Sequence, residues 1–185
     1  MNKGYTKIFW GVILSIFHIN LDRFQILPNF IAYFIIASGI KNLSEISSIE
    51  YFNKGKRAAY IFFILNIFSI IANEIIQGTA FILIWYNLFS IIELLIFYNI
   101  ILGSIKAINT YENNENYLTK FRIFIIYYVC AVVLRNTNIL LNNQVLNIIV
   151  IWSLLLWHIW ILYIMASLKK KDFNFKVCID IKKQL

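Results

Sequence analysis

Charge is scarce in this chain. Asp, Glu, Lys and Arg make up 14% of its 185 residues, while 61% are hydrophobic. A soluble domain carries about 25% charged and about 45–50% apolar residues, so a water-soluble fold of this size cannot hide the excess. Cysteine occurs twice, Cys130 in an apolar run and Cys178 in the tail. With the two at different depths and no Cys-x-x-Cys, no disulfide, redox motif or zinc site is expected. His-Glu-x-x-His, Gly-x-Ser-x-Gly, a phosphate loop and a paired-aspartate motif are all missing, so no catalytic residue, metal ligand set or cofactor is expected. Glycine is limited to six residues with no Gly-x-x-x-Gly. Close helix packing is therefore expected to lean on polar side chains. A cleavable signal peptide is also excluded, because Ile8–Ile19 runs on into Asn20-Leu21-Asp22 rather than a small-residue cleavage site.

What is present is a series of apolar runs: Ile8–Asn20, Ile26–Ile40, Ala58–Gln77, Ala80–Gly103, Phe121–Leu141 and Leu146–Leu168. The last four approach the roughly 20 residues of helix that a bilayer core requires. They must be helical, since lipid offers the backbone no partners and the runs lack the alternation of a barrel. The expectation is an all-α polytopic bundle of about six spans. Its first two segments are short, and are either tilted, set in a thinned membrane, or joined as a re-entrant hairpin. Residues 1–168 form one transmembrane domain and residues 169–185 a basic tail. Pro28, the one proline, suits the first turn of the second helix.

The basic residues fix the orientation. Lys3 and Lys7, then Lys41, Lys54, Lys56 and Arg57, then Lys106, Lys120 and Arg122, and finally the six lysines from Lys169 to Lys183 share one face. Only Arg23 and Arg135 depart from it. By the positive-inside rule that face is cytoplasmic, with both termini on it. The net charge of +8 thus reports topology. No basic stripe with interleaved aromatics lies outside the runs, so nucleic acid is excluded as a partner.

Three connections have characters of their own. In Lys41–Arg57, Leu43, Ile46 and Ile49 recur every third residue, which predicts a short interfacial helix. The Thr110–Asn116 stretch is the most polar in the chain. In the tail, Phe173, Phe175, Val177, Ile179 and Ile181 alternate with polar residues and Cys178, which predicts an extended strand. That strand would dock on anionic lipid beside Lys169–Lys171, or add to the sheet of a protein partner.

The N-terminal quarter carries a resemblance. Phe17-His18-Ile19-Asn20, then Gln25-Ile26-Leu27-Pro28-Asn29-Phe30-Ile31-Ala32-Tyr33 and Gly39-Ile40, resembles the start of small multipass membrane proteins of low-GC Gram-positive bacteria. The chain departs from that pattern at Ala32, where the group has Gly, and at Leu21-Asp22-Arg23, where it has a Gly-containing turn. The resemblance implies a shared fold and a bacterial cell membrane, and carries over no activity.

Ionisable groups inside spans are expensive, about 2.5–3.5 kcal/mol each on insertion scales, and they face the bundle interior and pair. Here they are Glu74, Glu93, Arg135 and His158, with His18 near the outer turn. At about 1.5 Å of rise per residue, Glu93 and His158 share one depth, and Arg135 matches Glu74 better than Glu93. Asn66, Ser69, Asn73 and Gln77 form a polar stripe on the third span. Polar groups in lipid commonly act as glue between helices, and AT-rich coding supplies asparagine without selection for a site. Three functions follow. The first is a non-enzymatic membrane component binding a small ligand or protein partner. The second is a permease or proton-coupled carrier using Glu93 and His158, and the third an intramembrane enzyme using that pair as acid and base.

Overall fold

The computed structural model describes residues 2–16, 20–21, 24–25, 29–47, 49–72, 79–109 and 115–184. Six helices are present among them: α1 (Asn2–Ile16), α2 (Asn29–Ile46), α3 (Glu50–Ala72), α4 (Thr79–Asn109), α5 (Glu115–Leu141) and α6 (Gln144–Gln184). Between α1 and α2 a two-residue ladder pairs β1 (Asn20–Leu21) with β2 (Phe24–Gln25). Each helix packs on the next, and α6 returns to α1. Three stretches among the described residues are long and apolar enough to cross a bilayer: Ala80–Ala107, Phe121–Leu141 and Gln144–Lys169.

Their outer surface explains the composition. Ile84, Ile126 and Tyr163 are each more than 60% exposed, together with many other large apolar side chains on α4, α5 and α6. Water would penalise such a continuous apolar surface, whereas lipid tails match it. These helices belong in a membrane.

The α1–α2 hairpin replaces an expectation about packing. Glycine brings these helices into close contact, and one polar bond joins them as well, from Lys7 Nζ to Ser38 Oγ at 2.9 Å. A Cβ on Gly4 would lie 2.9 Å from the Gly39 carbonyl oxygen, one on Gly39 2.8 Å from that of Gly4, and one on Gly11 2.9 Å from that of Ala32. Small residues seven apart on one helix meet small residues seven apart on an antiparallel neighbour. A search confined to Gly-x-x-x-Gly misses this spacing. The hairpin is also short, since 15 and 18 residues rise roughly 22 and 27 Å against a core of about 30 Å.

Two further expectations are corrected. Lys41–Arg57 is not a separate interfacial helix. Its first part ends α2, its second opens α3, and Leu43 is fully buried against Gly4. The period of three marked no single face, since Leu43 is buried and Ile46 exposed. Glu50 and Lys54 in the first turns of α3 form an exposed ion pair at 2.9 Å. The Lys54 hydrogen bond holds the Glu50 carboxyl below the usual range, and that bond holds the Lys54 ammonium above its own. The tail is not a strand: α6 continues through it to Gln184. A lone strand has no ladder for its backbone groups, while a helix continuing from a finished span satisfies them internally.

The α5–α6 turn is built from asparagines. Asn142 adopts φ 48°, a left-handed conformation Asn tolerates, and its N–H donates to the Asn138 carbonyl. The Asn143 side chain then accepts from the backbone N–H groups of Val145 and Leu146, capping α6.

Candidate functional site

The α4 helix carries Glu93 into the middle of the bundle, where three other helices reach it. Tyr33 of α2 donates its hydroxyl to Oε1 at 2.6 Å. Tyr128 of α5 donates to Oε2 at 2.9 Å, with the Ser90 carbonyl as a second acceptor at 3.2 Å. His158 of α6 places Nε2 3.4 Å from Oε1. One carboxylate thus ties together α2, α4, α5 and α6. The Glu93 and His158 side chains are only 16% and 18% exposed.

The imidazole is oriented by its own helix. His158 Nδ1 lies 2.8 Å from the Leu154 carbonyl, which can only accept, so Nδ1 carries a proton. Nε2 of a neutral ring would then present a lone pair to Glu93. A lone pair cannot face a carboxylate oxygen favourably, so one proton lies between them. The pair is either imidazolium with carboxylate or neutral ring with carboxylic acid.

An aromatic layer closes one side of this centre. Trp157 is completely buried, its ring centroid 4.2 Å from Tyr128, 5.4 Å from Phe97 and 5.4 Å from Phe124. The Tyr33 ring packs on Phe62 of α3 at 4.2 Å. Aromatic packing therefore fixes the two hydroxyls that address Glu93.

Towards the α5–α6 turn the surroundings become polar. Arg135 donates to the Tyr86 carbonyl at 3.0 Å and to Ser90 Oγ at 2.7 Å, and its guanidinium lies over the Tyr86 ring. Asn136 donates to Asn87 at 2.8 Å, and Asn138 reaches Asn147. Arg135 Nε and the Oδ1 atoms of Asn136 and Asn138 are buried without a hydrogen-bond partner.

Among the sequence candidates, Glu93 and His158 are brought together, while Arg135 stands one to two turns away on Ser90. Its expected partner Glu74 lies outside the described residues, as do Asn73, Gln77 and His18. Asn66 is buried, but its amide donates to the Phe62 carbonyl of its own helix. Ser69 likewise donates to the Asn66 carbonyl, so among the described residues these two members of the stripe hydrogen-bond within their own helix. Sequence reasoning missed Tyr33 and Tyr128 as partners of Glu93. The available signal was a tyrosine on the polar face of α5, which Tyr128 shares with Arg135. No group of three or more metal-ligating side chains occurs among the described residues. Comparisons with protein-family models, curated proteins and solved structures find no match to this chain.

Proposed function

We propose that this chain is a non-enzymatic component of a bacterial cytoplasmic membrane that binds a small ligand or a protein partner within the bilayer. It crosses about six times, with both termini in the cytoplasm, and the α1–α2 hairpin serves as the first two short segments. The lysines at Lys169–Lys171 follow the last apolar stretch and suit anionic headgroups at the cytoplasmic surface. In a strain whose Cys130 is replaced by serine, because Cys130 is exposed, an impermeant thiol reagent is expected to label Cys178 only after cells are opened. Labelling of intact cells would reverse the orientation.

The observation that carries this reading is the commitment of Glu93. Its oxygens are engaged by Tyr33, Tyr128 and His158 of the same chain, an arrangement that holds helices together. Ser90, the serine hydroxyl one turn before Glu93 on α4, donates to the Tyr86 carbonyl and accepts from Arg135. That argues against the intramembrane enzyme. Purification in mild detergent followed by mass spectrometry is expected to reveal one stoichiometric companion, a small molecule or a protein. A preparation with no companion, which instead moves protons in vesicles containing a pH-sensitive dye, would replace this reading with the carrier. One observation favours that second reading: the polar groups from Asn136 and Arg135 through Ser90 and Tyr128 lead to Glu93.

A further inference from the structure

The geometry points to a proton-loading site at Glu93 and His158 that fills from the α5–α6 turn side, with Tyr128 as the relay. This inference deepens the carrier reading and rests on the spanning arrangement of α4, α5 and α6.

Three observations support it. The first is the proton already shared by the pair, required because His158 Nδ1 is committed to the Leu154 carbonyl. The second is the double position of Tyr128, whose hydroxyl lies within hydrogen-bond reach of both Glu93 Oε2 at 2.9 Å and the Ser90 carbonyl at 3.2 Å. A second proton on Oε2 can donate to Tyr128 Oη, while the phenolic hydrogen turns to the Ser90 carbonyl. The hydroxyl can also pass its own hydrogen to Oε2 as it takes another from a hydronium ion, which is left as water. The phenol is then restored, the proton shared with Oε1 rests on His158 Nε2, Glu93 is a carboxylic acid through Oε2, and the cluster has gained one positive charge.

The third observation is the contrast between the two sides of the centre. Towards the turn, Arg135 Nε, Asn136 Oδ1 and Asn138 Oδ1 are buried polar atoms without partners, and such atoms call for water. On the opposite side lie the buried side chains of Ile96, Phe97, Ile100, Phe124, Trp157 and Ile161, where the one unpartnered polar atom is Trp157 Nε1, a donor that accepts no proton. That apolar layer offers a proton no step. Among the described residues, the titratable and charged groups facing the pair are Tyr33 from α2, Tyr128 and Arg135 from α5, and Tyr86 beyond Ser90 on α4. Among the described residues of α3, Phe62 packs against Tyr33 and is neutral. The fixed charge of Arg135 opposes free hydronium at the mouth, which favours transfer through hydroxyl groups.

The test is time-resolved infrared difference spectroscopy on the whole chain in neutral-lipid nanodiscs, with ring-labelled tyrosine, after a step to acid pH. The wild type is expected to give a carboxylic-acid band and a tyrosine band that rise together. Glu93→Gln should lose both. Tyr128→Phe keeps the ring against Trp157 and so preserves packing. It should lose the tyrosine band and slow carboxyl protonation by about 100-fold, the lower end of the range for a positioned proton-transfer group. Unaltered rates in Tyr128→Phe, or an unaltered carboxyl band in a folded Glu93→Gln, would overturn the proposal. Should Glu93→Gln fail to fold, the Tyr128→Phe rate decides alone. Loading without proton flux in vesicles would remove the carrier reading and leave the loading site intact.

Discussion

Replacing His158 by leucine is expected to cost the detergent-solubilised fold about 3–5 kcal/mol, the usual penalty for leaving a buried charge without its partner. Glu93 would keep the hydroxyls of Tyr33 and Tyr128 but lose the group that shares its proton. Two neutral donors solvate a carboxylate only partly in surroundings this apolar. The variant should therefore unfold at lower temperature, with Glu93 forced to the neutral form. Exchanging both members for a neutral hydrogen-bonding pair, Glu93→Gln with His158→Asn, should recover most of the loss. Thermal unfolding followed by circular dichroism separates these outcomes.

An effect of similar size is expected at Trp157, where no charge is involved. Trp157→Ala should cost about 3–5 kcal/mol, the range for emptying a buried aromatic site. The indole is wholly buried and packs on Phe97 of α4 and on Phe124 and Tyr128 of α5. Its removal also frees Tyr128 from the ring that fixes its hydroxyl, so the acid-induced tyrosine band should broaden or vanish. Trp157→Phe keeps an apolar ring, leaves a smaller cavity than alanine does, and should lose roughly half as much or less. An alanine variant as stable as the wild type would mean that α4, α5 and α6 do not meet at this layer.

The pairing of Glu93 with His158 was legible from one physical quantity. α4 and α6 both start near uncharged turns, and a fixed rise per residue carries the two side chains to a common depth. Depth does not name neighbours, however, and Tyr33 shows why. Its position follows from the seven-residue spacing of Gly4, Gly11, Ala32 and Gly39, which sets how far α2 slides along α1. The bundle then carries that register to α4. Nothing in the apolar run around Tyr33 distinguishes a tyrosine facing a carboxylate from one facing lipid.

Where the sequence misled, the cause was a short period read without its context. Leu43, Ile46 and Ile49 recur every third residue, yet Leu43 is buried while Ile46 is 62% exposed, so they share no single surface. The alternation from Phe173 to Ile181 is real, but a strand needs a partner ladder and a helix does not. Arg135 illustrates a different gap. Its depth match, Glu74, lies outside the described residues, and its contacts among them are the Tyr86 carbonyl and the Ser90 hydroxyl. A carbonyl and a hydroxyl leave no charge signature in a sequence.

A double-mutant cycle tests the Glu93–His158 contact most directly. Unfolding free energies would be measured for the wild type, Glu93→Gln, His158→Leu and the double variant in one detergent. Side chains in direct contact couple by about 0.5–3 kcal/mol, and a charge-sharing pair in so apolar a setting belongs in the upper half of that range. The expected result is a double variant markedly more stable than the sum of the single losses implies. Strictly additive losses, within about 0.5 kcal/mol, would contradict the contact and with it the four-helix centre.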